Sequence, residues 1–174
     1  MSVDLEVRLA SPEDAGGIAR VRVRGWQAGY RGLMDPDYLD SLSVEANTKR
    51  ARSWDWDSGN TRSWVCTANA EIVGWITVFL RARDEDLPES VGEIAACYAL
   101  PETWGTGVGH RMIDVSIADL RSAGVESVVL WVLERNERAR AFYRRQGFTL
   151  DGSQKTEPFE PMSGLLSVRM RMGI

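Results

Sequence analysis

Three glycines at alternate positions, Gly105, Gly107 and Gly109, are the residues of this chain best suited to chemistry. They strip side chains from what reads as a helix entrance. Backbone N–H groups there can close on an anion, and the helix dipole favours negative charge. A pyrophosphate is the natural ligand of such a turn. The other reading is conformational, with the glycines serving only to permit the turn. Two phosphate-binding motifs are separable by spacing. A P-loop needs Gly-Lys followed by Ser or Thr, which the chain lacks. A dinucleotide fingerprint needs G-x-G-x-x-G directly after its strand. Here the spacing is G-x-G-x-G, and Pro101 to Trp104 intervene. Glu126 lies at a suitable distance but precedes its strand, so a nicotinamide-dependent oxidoreductase stays as a distant rival.

The remaining reactive side chains exclude more than they suggest. His110 is the single histidine. A multi-histidine metal site is therefore ruled out, and no metal is expected. Triad hydrolysis would have to use a residue at a helix opening with no nucleophile motif beside it. Cys66 and Cys97 both sit in apolar runs and read as buried thiols. The net charge of -4 disfavours a nucleic-acid partner, although Arg138, Arg140, Arg144 and Arg145 crowd into eight residues. No apolar run is long enough to cross a bilayer. The opening Met1 to Glu6 lacks a basic region followed by an apolar stretch, so no secretory signal and no membrane partner are expected. A cytoplasmic location fits these features.

The elements that must position the turn follow from periodicity. At 174 residues, 44% apolar and 26% charged, the chain suits a single domain spanning 1–174. Val3 to Leu9 alternates as a strand. Ser11-Pro12-Glu13-Asp14 opens a helix that runs to about Gly29. Asp35-Pro36 opens a second helical stretch, and Ser43 or Val44 a third towards Trp54. Ser63 to Ala68 and Glu71 to Leu80 form a hairpin around Asn69-Ala70. Arg83 to Ser90 is an acidic loop. Val91 to Leu100 is a strand without charge after Glu93, expected to be central in its sheet. The helix after the glycines runs to Ala123, with Val108, Met112, Val115, Ile117 and Leu120 as its buried face, and Gly124 stops it. Glu126 to Leu133 reads as a strand buried on both faces. Asn136 caps a short helix that Gly147 ends, with Phe148 as the hydrophobic contact after the stop. Phe148 to Asp151 and Leu166 to Met172 are the last strands. The fold class is α/β (α+β), a mixed and mostly antiparallel sheet flanked by helices, in the order β-α-α-β-β-β-α-β-α-β-β.

Two segments of this frame carry a family resemblance. Tyr98-Ala99-Leu100-Pro101-Glu102-Thr103-Trp104-Gly105-Thr106-Gly107-Val108-Gly109 resembles the coenzyme A motif of the GNAT superfamily of N-acetyltransferases. Asn136-Glu137-Arg138-Ala139-Arg140-Ala141-Phe142-Tyr143-Arg144-Arg145-Gln146-Gly147-Phe148 resembles its second motif, a capping Asn, then Ala-Phe-Tyr, ending in Gly-Phe. The order of elements matches across nearly the whole chain. Trp104 departs from the pattern, standing where the family usually has Gln or Arg.

The resemblance implies acetyl-CoA as co-substrate and direct acetyl transfer to a primary amine, on a small molecule or a protein, in a ternary complex. Amides from Trp104 through Gly105, Thr106, Gly107, Val108 and Gly109 to His110 would hold the coenzyme pyrophosphate. Cys97, Tyr98, Ala99 and Leu100 would pair with the pantetheine and offer an oxyanion donor. Asn136 would contact the coenzyme, and Arg144 or Arg145 its ribose phosphate. Tyr143 would donate a proton to the departing thiolate, and Glu93 would serve as base; an aromatic core residue and a strand-edge Glu facing water are the plainer alternatives. Trp26 and Tyr30 would face the acceptor, and Asp84, Glu85, Asp86 and Glu89 would attract a cationic amine. A binding-only relative, acting as an acyl-CoA sensor or assembly module, is the second reading. Homodimers are common among similar proteins, and the sequence leaves that state open.

Overall fold

The computed structural model describes residues 4–56, 58–158 and 160–174. The Val3 end of the first strand lies outside them. One sheet of seven strands organises the chain, in the order β1-β2-β3-β4-β5-β7-β6. The strands are β1 Leu5–Leu9, β2 Thr61–Ala68, β3 Glu71–Phe79, β4 Val91–Ala99, β5 Ser127–Leu133, β6 Thr149–Thr156 and β7 Leu166–Gly173. Every neighbouring pair is antiparallel except β4 with β5. The helices are α1 Ala15–Gly29, α2 Pro36–Ser41, α3 Val44–Arg52, α4 Val108–Ser122 and α5 Glu137–Arg145. Three α-helices thus stand between the first two strands, at the three helical stretches read from the sequence, although the element order given there counted two. The second of them, α2, is a six-residue helix started by Asp35, whose carboxylate accepts from the Asp37 amide, and by Pro36.

Helices cover both faces of the sheet. An added Cβ on Gly74 of β3 would meet Val108 and Met112 of α4, so that face carries α4. The next residue, Trp75, points the other way, because strand side chains alternate. It meets Tyr98, whose side chain lies against Gly25 of α1. One large core fills the space, with Ile76, Val78, Met112, Leu120, Leu130 and Met170 fully buried.

Local chemistry sets the connections as expected. Asn69 and Ala70 both take positive φ, 51° and 66°, which closes the tight β2–β3 hairpin. Gly124 and Gly147, at φ 85° and 101°, end α4 and α5. The buried face of α4 differs in one position. Val115 is exposed, and Ile113 and Ser116 take its share of the buried stripe. The last antiparallel pair is longer than expected, since β6 continues to Thr156 through a polar, almost wholly exposed segment. It is the sheet's edge strand, so it needs no apolar alternation, and its pairing is interrupted between Leu150 and Gln154, around Gly152.

Candidate active site

The parallel pair β4–β5 opens the site. Its pairing covers Val91–Ile94 against Ser127–Leu130 and then stops, although the strands run on to Ala99 and Leu133. The strands splay into a wedge, and the β4 backbone beyond Ile94 has no β5 partner. On its other side β4 stays paired to β3, with an irregularity between Thr77 and Val78 that leaves Ala95 out of register. The wedge therefore presents a strand edge in the middle of a sheet.

Two cavities meet in the wedge. One of about 390 Å³ lies between β4, the glycine turn and α5; Cys97, Tyr98, Ala99, Trp104, Gly105, Gly109, Tyr143 and Arg145 all line it. The other, about 420 Å³, holds Trp26, Tyr30, Glu93 and Asn136. Cys97, Tyr98, Arg138, Ala139 and Tyr143 line both. The structure thus brings together most of the residues singled out in the sequence. Leu100 and Val108 instead bury their side chains in the core. Thr106, Gly107 and His110 do not line either cavity. His110 is exposed, with Nδ1 2.8 Å from Gln146 Oε1 and Nε2 3.2 Å from Asp114.

The glycine turn is built as an anion cradle in part. Gly105 and Gly107 have φ of 80° and 97°, and an added Cβ at either would meet nothing within 4 Å. The Trp104 and Thr106 amides are spent inside the turn, on Pro101 and Thr103 carbonyls. The first amides of α4, from Val108 to His110, are left without an intrahelical acceptor by helix geometry. Gly109 has a different task. An added Cβ there would sit 2.8 Å from Cζ of Phe142, so its bareness lets α5 pack on α4.

Trp104 replaces the usual donor with two contacts. Its indole N–H donates to the Ala99 carbonyl at 3.1 Å, and the Arg138 guanidinium lies 3.5 Å above its ring. Arg138 escaped the sequence reading as a site residue, although it stood in the noted basic cluster. Arg144 is turned instead towards Glu137, at 3.8 Å.

Asn136 is buried, and its side chain accepts from the Ala139 amide at 3.2 Å, so it caps α5 as read. That cap fixes the start of the helix that carries Tyr143. Burial pushes the Tyr143 phenol well above the ordinary range, with the neighbouring Cys97 thiol adding to it. Burial likewise raises Cys97, to about 12. Both groups therefore stay protonated near neutral pH. Tyr30 is raised well above its ordinary value for the same reason, with Tyr98 beside it.

Glu93 does not face water at a strand edge. It is 2% exposed, and Arg83 grips both its oxygens through Nη2, Nε and the backbone amide. The acidic loop is also engaged. Asp84 accepts from the Trp131 indole and from Arg169, Asp86 takes Arg169 in two bonds, and Glu89 pairs with Arg81. Three of its four carboxylates thus have cationic partners within the protein, with Arg169 shared between Asp84 and Asp86, which weakens the expected attraction for a cationic amine. Among the described residues, no group of three or more His, Cys, Asp or Glu is placed to hold a metal ion. No helix among them is long and apolar enough to cross a membrane.

Known proteins share this architecture. The chain is 26% identical to a probable N-acetyltransferase of Mycobacterium tuberculosis, over 93% of this chain and 88% of the relative. It is 30% identical to an uncharacterized N-acetyltransferase of Archaeoglobus fulgidus, over 82% and 91%. It is 42% identical to a mycothiol acetyltransferase of Geodermatophilus obscurus, over 84% of this chain but 48% of that longer protein. A PaiA N-acetyltransferase of Thermoplasma acidophilum, solved with coenzyme A, shares the fold at a TM-score of 0.74 and 18% identity, over 98% and 99% of the two chains. The family model described as the acetyltransferase (GNAT) family matches residues 28–148, and the chain belongs to that family.

Proposed function

We infer that this protein transfers an acetyl group from acetyl-CoA to a primary amine by direct attack in a ternary complex. The observation that carries the reading is the meeting of two cavities at one phenol, Tyr143, inside the β4–β5 wedge. The cavity under the glycine turn takes the pantetheine, and its thioester comes to rest between Cys97 and Tyr143. The amine enters from the other cavity. The free edge of β4 pairs with the pantetheine amides as an added strand would.

Each residue then has a physical task. The unpaired amides at the start of α4 meet pyrophosphate oxygens, with the helix dipole behind them. Arg138, held on Trp104, supplies a cation beside them. Tyr143 meets the sulfur. A thiol has a reference pKa of about 8.5 and a phenol about 10, and burial raises this phenol further. Full proton transfer to the thiolate is uphill, so the phenol acts by a strong hydrogen bond as charge grows on sulfur. Glu93 takes a proton from the acceptor's ammonium through water, because Arg83 already occupies both its oxygens, and the neutral amine so formed attacks the thioester. The binding-only alternative lacks a use for a protonated phenol at the junction of the cavities.

A screen of amines that follows thiol release from acetyl-CoA tests this reading. Turnover with at least one amine is expected, together with calorimetric binding of acetyl-CoA. Coenzyme binding without turnover on a broad panel would favour the sensor. No coenzyme binding would overturn both.

A further inference from the structure

The acceptor cavity carries an excess of positive charge. Four cations and two carboxylates line it. Arg83 is spent on Glu93. Lys155 lies 3.9 Å from Glu157 and 4.3 Å from the centre of the Trp131 ring. Arg138 sits on Trp104 at the border with the coenzyme cavity. Among the described residues no carboxylate lies within ion-pairing distance of Arg22. Arg138 has no carboxylate partner among them either, but it also lines the coenzyme cavity, whereas Arg22 lines the acceptor cavity alone.

Arg22 is nonetheless held in place. Its Nε donates to Asn47 Oδ1 at 3.1 Å, and Asn47 is itself buried and fixed by a bond from Nδ2 to the Ser43 carbonyl. The guanidinium lies over the Trp26 ring, 4.4 Å from its centre. One edge of the fork is thus anchored, and both terminal nitrogens have no hydrogen-bond partner among the described residues. A guanidinium stacked on an indole is weakly hydrated, so an oxyanion displaces little water from it. Its charge also reaches the Tyr30 phenol, which lines the same cavity.

We propose that Arg22 binds a carboxylate of the acceptor, so that the substrate is an amine that also carries a carboxylate, as an amino acid does. The fork geometry suits two parallel bonds to a planar carboxylate. With Arg138 shared with the coenzyme side, Arg22 is the one unpaired cation that belongs to the acceptor cavity alone, and a single charge favours a carboxylate over a doubly charged phosphate. The inference rests on the acetyltransferase reading and names the acceptor class for it.

The test uses matched pairs: the common α-amino acids, β-alanine and 4-aminobutyrate, each against its carboxamide. Binding is read by calorimetry on the coenzyme A complex, and turnover by thiol release from acetyl-CoA. The favoured acid should exceed its amide in kcat/KM by roughly 10- to 100-fold, the range for a charge-assisted hydrogen bond. Arg22→Gln should bring that ratio close to one, mainly through KM, while acetyl-CoA affinity is unchanged. Arg22→Lys keeps the charge but loses the fork and the Asn47 bond, and should retain part of the preference. Thermal unfolding checks that each variant folds; if Arg22→Gln does not, Arg22→Lys alone must lower the ratio. Equal use of acids and amides, a preference for amides, a ratio that Arg22→Gln leaves unmoved, or no binding of any member would overturn the inference. Acetylation of the amides with no preference for acids would defeat it and leave the acetyltransferase standing. Absence of acetyl-CoA binding would defeat both.

Discussion

Gly109→Ala should separate the packing role of the glycine turn from its role in binding. Gly109 is the second residue of α4, and an added Cβ would sit 2.8 Å and 3.0 Å from two ring carbons of Phe142. Ordinary carbon–carbon contact is about 3.5–4.0 Å, so a gap of nearly 1 Å must be made. Overpacking of this kind costs about 1–3 kcal/mol. Alanine returns up to about 1 kcal/mol through helix propensity. The net expected loss is about 1 kcal/mol, at the low end because the clash meets the tip of a half-buried ring. Gly16→Ala is the matched control. Gly16 is the second residue of α1, and nothing lies within 4 Å of its added Cβ, so the same change should stabilise by about 0.4–1 kcal/mol. Urea unfolding of both variants measures the difference, which isolates the Phe142 strain. If the ring yields, it moves within the coenzyme cavity that it lines, and calorimetry should show weaker acetyl-CoA binding. Phe142→Leu combined with Gly109→Ala should recover stability if the clash is the cause. A Gly109→Ala variant as stable as Gly16→Ala, with parental coenzyme affinity, would refute the reasoning.

Tyr143→Phe keeps the ring and should lower turnover on the order of tenfold to a thousandfold, with little change in acetyl-CoA affinity; because burial raises the phenol, the parent's kcat should show no fall from its ionisation below about pH 10. Glu93→Gln should slow turnover most at low pH, where little amine is neutral, and should cost about 1–2 kcal/mol on unfolding, since water covers much of the freed Arg83. The Asp14 carboxyl is held below its usual range by hydrogen bonds from Arg8, so its contribution to stability is present above about pH 4 and is lost as pH falls through its lowered folded value; Asp14→Asn should flatten that part of an unfolding–pH curve. Burial raises both thiols, so iodoacetamide at pH 8 should label Cys66 and Cys97 only after unfolding, as mass spectrometry would detect.

The features legible in the sequence are those decided by neighbours along the chain. A capping Asn at 136, stop glycines at 124 and 147 and a positive-φ pair at 69 and 70 act through backbone groups a few residues away. Their outcomes in the structure match because tertiary packing has little to override. Strand β6 failed to show its length for the opposite reason. Its residues Thr149 to Thr156 are polar, and as an edge strand it is held by β7 alone. Nothing in its own composition records that partner. The β4–β5 wedge is similarly silent. Val91 to Leu100 reads as one strand, and only the register against β5 reveals that pairing stops after Ile94.

Charge was the hardest property to read, because an ionised side chain acts through its partner. The acidic loop seemed available to a cationic substrate, yet Arg169 reaches Asp84 and Asp86 from more than eighty residues away. Glu93 read as a base or, more plainly, as a strand-edge carboxylate facing water, yet Arg83 closes on it across a loop. The acceptor cavity itself is lined by four cations and two carboxylates, the opposite sign to the one the loop suggested. Trp104 makes the same point on the coenzyme side. As a substitution in a motif it reads as a lost donor. In the fold its ring carries the Arg138 guanidinium at 3.5 Å, a cation that burial makes less willing to hold its proton and that no carboxylate among the described residues neutralises. A positive charge therefore still stands at that position, delivered from α5 and seated on the indole. That guanidinium has no carboxylate partner among the described residues, and an anionic ligand in the adjoining cavity would supply one.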